Sequence, residues 1–353
     1  MKKQISYVFL IISFIFFQEI FSQNTSNIDS TKQETDLFLV QKILSLKLNY
    51  SNRVLKNDTN DSTYVKSEIS YKNKNNTWQS LTVDLRARGN FRRAKCYFVP
   101  VKISIKKKNY KNTLFEGYKK LKLIVPCLLE KDRNDNVIKE YIAYKLYQLM
   151  SPYSFKTRLV DIEFTEQKGK KERIHQIKGF LQEDDKKIAE KFDGKIIDRS
   201  IHPLAQEEIN SIRVAFFQYL IGNTDFSNYQ QHNSKLIYID KEIYPVPYDF
   251  DMSGFVDTSY SQVSETISEK SSISRVTQRV YRGFKRDSLL IEQVRQEYIS
   301  KKNDMIQTID NHKYLFENEK EFVNAKDYLL SFFEVIENDK SYNKEIIKRL
   351  RGK

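Results

Sequence analysis

Strand-like alternation fills the first half of this 353-residue chain and helical periodicity fills the second, with one long helix set inside the first half. That order predicts an α+β fold with a β-rich N-terminal lobe over residues 37–184 and a mostly helical C-terminal lobe over 185–353. Strands are expected at 79–88, 97–106 and 119–126, where apolar residues alternate as in Leu81, Val83 and Leu85. Ile138, Ile142, Leu146 and Leu149 repeat at helical spacing and predict a helix over Val137–Met150, ended by Pro152. Further strands are expected at 157–165 and 176–181, and a helix at 207–221. Two strands should follow at 234–239 and 243–248, and helices from Asp287 on. Residues 37–48 read as a short amphipathic segment and 49–80 as strands with loops.

Composition narrows the class. Hydrophobic residues make up 40% of the chain, too many for a disordered one. Nine Gly and six Pro exclude collagen-like design, and two Cys exclude a Cys-rich zinc module. The start reads as an address. Lys2 and Lys3 precede the uncharged run Ile5–Phe17, followed by Phe21-Ser22-Gln23, so residues 1–23 are expected to be a signal peptide. A run of that length, as a helix, reaches only about 20 Å, short of a hydrocarbon core of about 30 Å. An uncleaved anchor is the other reading. Residues 24–36 are polar and expected to be a disordered tether. The chain is then exported: periplasmic, outer-membrane-associated or secreted. In an oxidising compartment Cys96 and Cys127 either pair or stay as two buried thiols.

The formal charge is +14, and residues 86–122 concentrate it, with thirteen Lys/Arg against the single acid Glu116. Such a cluster suits an anionic partner: a nucleotide, another phosphate, or the surface of an anionic membrane. Arg86 and Arg88 continue the alternation of Leu81, Val83 and Leu85 and should share a face, with Gly89 permitting a turn close to a ligand. Arg forks suit phosphate. Nucleic acid is a weaker partner, because no recognition helix, zinc finger or RNA-recognition motif is present.

The chemistry-bearing residues lie between Gly222 and Gly254. Helix 207–221 runs into Gly222-Asn223-Thr224-Asp225, and a polar loop leads to His232-Asn233. A hairpin then ends in Asp249-Phe250-Asp251. A three-residue turn at Asp240–Glu242 would pair Ile239 with Ile243 and set Asn233 opposite Asp249. An amide oxygen and carboxylates at one hairpin end are the donors a hard cation takes alongside substrate phosphates. Asp225 enters the same end and could accept a proton from an attacking hydroxyl. His232 reads as a loop hydrogen-bonder. A base, an Asn, a hairpin and a metal-binding Asp follow the order used in protein-kinase-type phosphoryl transfer. Upstream, Lys102 and Lys122 are candidates for the strand lysine, and Glu140 for the helix acid, that such an enzyme would need. Gly179–Asp184, with Glu183, could form a hinge under adenine.

Over residues 80–290 the chain resembles a group of uncharacterised Bacteroidetes secreted proteins. The likeness is carried by Arg88-Gly89, Arg92-Arg93, Cys96, Leu121-Lys122-Leu123, Cys127, Glu140-Tyr141, Gly222–Asp225, Val246–Asp251, Ser253-Gly254 and Tyr281–Phe284. That group is more remotely similar to the spore-coat CotH kinases and HipA-like atypical kinases. The resemblance implies a two-lobe atypical protein-kinase-like fold, Asp225 as base, and Asn233 and Asp249 as ligands of Mg²⁺ or Mn²⁺. It also implies ATP as a cofactor and a Lys–Glu pair involving Glu140; Asp251 joins the expected metal set. Asp225 and Asn233 stand eight apart where the kinase loop has five. Asp249-Phe250-Asp251 replaces Asp-Phe-Gly, and no Gly-rich loop precedes the first candidate Lys. Three functions follow as expectations: a kinase-like phosphotransferase of unknown acceptor, a catalytically inactive envelope protein that binds an anionic ligand, or a structural protein held to anionic lipid.

Overall fold

The computed structural model describes residues 37–263, 267–269 and 273–352. The expected signal peptide and tether, 1–36, lie outside these. The protein is a mixed α+β molecule with a sheet-rich part and a helical part.

Seven strands form the sheet-rich part: β1 (Leu44–Tyr50), β2 (Val65–Lys72), β3 (Trp78–Ala87), β4 (Val101–Ser104), β5 (Lys120–Ile124), β6 (Thr157–Lys168) and β7 (Lys171–Glu183). They close into a barrel in the order β1-β2-β3-β4-β5-β7-β6, with β1 parallel to β6 at the seam. Closure removes both sheet edges. The alternation of the sequence fills the interior, with Leu46, Leu48, Ile69, Leu81, Val83, Leu85, Ile103, Leu121, Leu123, Ile162 and Phe164 all buried. The amphipathic segment expected at 37–48 becomes strand from Leu44 on, because Leu44, Leu46, Leu48 and Tyr50 repeat at period two. It is also what closes the barrel: the β-rich lobe is present, but a closed seven-stranded barrel is not the usual N-terminal lobe of the kinase-like fold that the resemblance implies.

Short helices α1 (Asn52–Asp58), α2 (Asn90–Lys95) and α3 (Lys107–Tyr110) decorate the barrel. Cys96, at the end of α2, is disulfide-bonded to Cys127. Helix α4 (Arg133–Met150) lies between barrel and helices, and Val137 to Tyr144 are all buried in it. A helix apolar or buried on every side belongs to the middle of a molecule. The helical part adds α5 (Asp185–Glu190), α6 (Glu208–Leu220), α7 (Ser288–Ser300), α8 (Lys302–Asp310), α9 (Glu319–Ile336) and α10 (Asp339–Glu345). One core runs from α4 through Phe216 and Phe217 to Tyr298, Leu329 and Phe332. A three-stranded sheet, β8 (Lys195–Ile197), β9 (Ser234–Ile239) and β10 (Glu242–Pro247), sits against α6 in the order β10-β9-β8. Among the described residues, no helix is long and apolar enough to cross a membrane.

Candidate functional site

Helix α6 delivers the first acidic residue. Its end is a Schellman turn: the Gly222 N–H donates to the Tyr219 carbonyl (3.1 Å) and the Asn223 N–H to Gln218 (2.8 Å). Gly222 adopts a φ of +61° with Tyr328 Oη pressed where a Cβ would stand. The chain then turns sharply, and the Asn223 side chain caps it by accepting from the Asp225 N–H (2.9 Å). Arg282 braces the turn from behind, donating to the carbonyls of Thr224 (2.8 Å) and Phe226 (3.0 Å).

Asp225 is about one-third exposed and accepts from two neighbours across the loop. Asn233 Nδ2 donates to Oδ2 (2.9 Å) and to the Asp225 carbonyl (2.7 Å), and His232 Nε2 lies 2.9 Å from Oδ1. That contact raises the His232 pKa above 6.5, with burial opposing and Asp249 adding to the rise. The Asn233 side chain thus spends its amide nitrogen on Asp225, and Oδ1 is the end left for a cation.

The hairpin register differs from expectation by one. Ile239 pairs with Glu242, not Ile243, because Asp240 and Lys241 both take positive φ (48° and 70°) and make a two-residue turn. Asn233 therefore stands opposite Tyr248, whose N–H donates to its carbonyl (3.0 Å). Asp249 lies one step beyond. Asn233 and Asp249 themselves hold left-handed backbone, φ 49° and 63°, which turns the chain at the open end. The expected direct pairing of Asn233 with Asp249 is not formed, but both stay at that end.

Helix α4 presents Glu140 and Tyr144 one turn apart toward Asp249. Tyr144 Oη accepts from the Asp249 N–H (2.9 Å) and lies 3.2 Å from Gln182 Oε1. From the barrel side comes α2. Arg92 Nη1 lies 3.9 Å from Glu140 and 3.9 Å from Asp249, and Arg92 Nε lies 3.5 Å from Asp251. Arg88 Nη2 is 3.6 Å from Asp249. These are ion pairs wider than hydrogen bonds. Asp249 Oδ1, Glu140 Oε1, and Arg92 Nε and Nη1 are buried with no hydrogen-bond partner among the described residues. Burial pushes Asp251 up to about 6, Arg92 opposing and Asp249 adding to the rise. Burial likewise holds Glu140 well above the ordinary carboxyl value, with Arg92 opposing. Burial works against the Arg92 charge, but Asp251, Tyr260, Glu140 and Asp249 outweigh it and hold the guanidinium protonated. The space beside Arg92, Glu140 and Asp251 is a cavity of about 10 Å³.

Other expected residues part from this cluster. Arg86 and Arg88 do not share a ligand face: β3 ends at Ala87, and Arg86 pairs with Asp61 (2.7 Å) and Tyr64 (3.2 Å). The expected lysine partner of Glu140 is replaced by Arg92. Lys102 pairs with Asp184 (3.4 Å) and Lys122 with Asp185 (2.5 Å), since both strands point these lysines toward the start of α5. Lys122 still borders the cleft, its Nζ over the Tyr248 ring (4.6 Å), and burial lowers its pKa. The hinge expected at 179–184 is a doubly paired strand: Phe180 to Gln182 ladder to both β5 and β6. Their backbone groups are committed to the barrel and unavailable to an adenine. Glu183 is buried, accepting from the Lys156 N–H (2.7 Å) and pairing with Lys191 (2.6 Å). Sequence reasoning missed Tyr144 and its bond to Asp249. The i, i+4 spacing from Glu140 was the available signal.

No family model and no curated protein matches this chain. Among solved structures, the Helicobacter pylori proinflammatory kinase CtkA aligns at a TM-score of 0.35 and 12% identity, covering 71% of this chain and 92% of that one. So slight a likeness carries no argument about this protein.

Proposed function

We propose that this protein is a kinase-like phosphotransferase, exported, that uses a magnesium or manganese nucleotide on an acceptor of unknown class. The observation that carries the reading is the gathering of Asp225, Asn233, Asp249 and Asp251 at one hairpin end, against Arg88 and Arg92 from the sheet-rich part. The donor set suits a hard cation. Asp249 Oδ1 is a buried carboxylate oxygen with no hydrogen-bond donor among the described residues, and Asn233 Oδ1 belongs to a side chain whose nitrogen is already engaged. Among the described residues no three His, Cys, Asp or Glu are spaced to cage a metal. Mg²⁺ is commonly held by one or two carboxylates with substrate phosphates completing the shell, so an incomplete set is the expected kind. A bound cation there would neutralise phosphate charge. Asn233 and Asp249 would hold it, and Arg88 and Lys122 would offer charge to the phosphates. Asp225 keeps a free lone pair on each oxygen and can take a proton from an acceptor hydroxyl.

Calorimetry with Mg-ATP tests this. Binding is expected in the unaltered protein, lost in Asp249→Ala, and retained in Asp225→Asn with phosphoryl transfer reduced at least 100-fold. No heat with any magnesium nucleotide overturns it. A second reading has its own support, because Arg88 and Arg92 already neutralise Asp249 and Asp251 in this structure. On that reading the protein binds an anionic ligand without chemistry, and binding survives Asp225→Ala.

A further inference from the structure

The loop that carries Asp225 has a second face. Behind it, Phe226, Asn228 and Tyr229 join Ser211 and Ile212 of α6 and the segment 281–284 around a cavity of about 440 Å³. Arg282, Arg286 and Arg351 line it, and among the described residues no Asp or Glu does. The three arginines differ. Arg286 is occupied, pairing with Glu208 (3.2 Å) and donating to the carbonyls of Pro203 (2.6 Å) and Gln206 (3.1 Å). Among the described residues Arg282 commits only Nη1, to the loop carbonyls, and it lies over the Phe226 ring at 4.6 Å. Arg351 lies over the Phe284 ring at 4.1 Å and has no carboxylate partner among the described residues. Its backbone is pinned there: the Arg351 N–H donates to Gly283 (2.9 Å), and the Lys285 N–H donates to the Arg351 carbonyl (2.9 Å).

Two guanidinium groups are thus held on one cavity whose lining, among the described residues, contains no carboxylate. Burial and then the charge of Arg351 push the Arg282 pKa down to about 10, with Asp225 opposing. Two further polar atoms in the lining lack partners. Ser211 Oγ, on a residue about nine-tenths buried, and Asn228 Oδ1 make no hydrogen bond among the described residues. A buried polar atom without a protein partner is open to a water or a ligand. Charge-assisted forks beside flat aromatic walls select an oxyanion attached to a planar or apolar body.

We propose that this cavity binds a small organic oxyanion, its charged end between Arg282 and Arg351 and its flat body against Phe226, Phe284 and Ile212. The proposal is independent of phosphoryl transfer at Asp225. Arg282 joins the two sites, since it holds the carbonyls on either side of that residue.

Phenyl phosphate, benzoate and inorganic phosphate, titrated by calorimetry without divalent cation, test the site. Phenyl phosphate or benzoate is expected to bind at least tenfold tighter than inorganic phosphate. Arg351→Gln, which keeps the backbone bonds of the segment, is expected to weaken that binding at least tenfold, and Arg282→Gln likewise. Asp249→Ala is expected to leave it unchanged. Absence of binding by all three probes overturns the proposal, as does equal affinity for inorganic phosphate. Binding that is indifferent to Arg351→Gln and lost in Asp249→Ala also overturns it, because the anion would then sit in the acidic cleft. Failure of Mg-ATP binding leaves this result untouched, so the two readings fall separately.

Discussion

His232 shows how one side-chain contact sets a pH response. Its ring nitrogen lies 2.9 Å from Asp225 Oδ1, and the carboxylate favours the charged ring. The folded pKa is therefore above 6.5. A group raised in this way adds stability that is fully present below pH 6.5 and is lost as pH rises through the folded value. The ring is more than half exposed, so the stability effect is small, and the titration itself is the better readout. NMR titration of His232 is expected to give a midpoint above 6.5 that falls toward 6.5 in Asp225→Asn. An unchanged midpoint would mean that the contact does not form in solution. The same contact bears on what the sequence could reveal. The Asp225, His232 and Asn233 loop was visible as a motif, because Gly222 and the hairpin bracket it. Which atom of Asn233 turns to Asp225 was not visible, since it follows from left-handed backbone at residue 233 that no spacing encodes.

At the scale of elements, turns decide more than strands do. Helix α6 was expected to end at Ile221, and the structure ends it at Leu220, with Gly222 at the left-handed position of the cap. Gly222 carries two constraints, positive φ and the close approach of Tyr328. Gly169, in the β6–β7 turn, carries only the first: its φ is +64° and a Cβ there would meet nothing within 4 Å. A left-handed conformation costs an L-residue about 1–2 kcal/mol. Gly169→Ala is thus expected to cost about 1 kcal/mol, and Gly222→Ala at least about 3 kcal/mol once overpacking against Tyr328 is added. Urea denaturation of the two variants checks the difference, and equal midpoints would refute the role given to Tyr328. Most strands and long helices were legible because their apolar periods are strong. The hairpin register was not, since two- and three-residue turns both fit Asp240-Lys241-Glu242. Nor was the pairing of Glu140. Periodicity assigns faces, but the partner on the opposing face, Arg92 on a six-residue helix, comes from how barrel and helix α4 meet.

For the whole molecule, the question is what keeps the sheet-rich part seated on α4. β1 closes the barrel by pairing with β6, while one disulfide fastens the stretch nearest the acidic cluster. Cys96 and Cys127 are 31 residues apart, and around them the backbone is tightly bonded. The N–H groups of Tyr97 and Phe98 both donate to the Cys127 carbonyl, and Cys96 donates to Arg92 (2.9 Å). Arg92 in turn reaches the Val125 carbonyl (3.0 Å) as well as the carboxylates. The crosslink therefore fixes both strands of chain that place Arg92. Closing a loop of this size removes unfolded-state entropy worth about 3–4 kcal/mol. A Cys96→Ser, Cys127→Ser double variant is expected to lose about that much stability to denaturant and to keep the barrel's circular dichroism. Because Arg92 would then be held less firmly between Glu140, Asp249 and Asp251, hydrogen exchange should rise over residues 90–98 and 249–251 before it rises elsewhere. Uniform exchange across the barrel would show instead that the crosslink stabilises the whole fold and has no particular hold on the site.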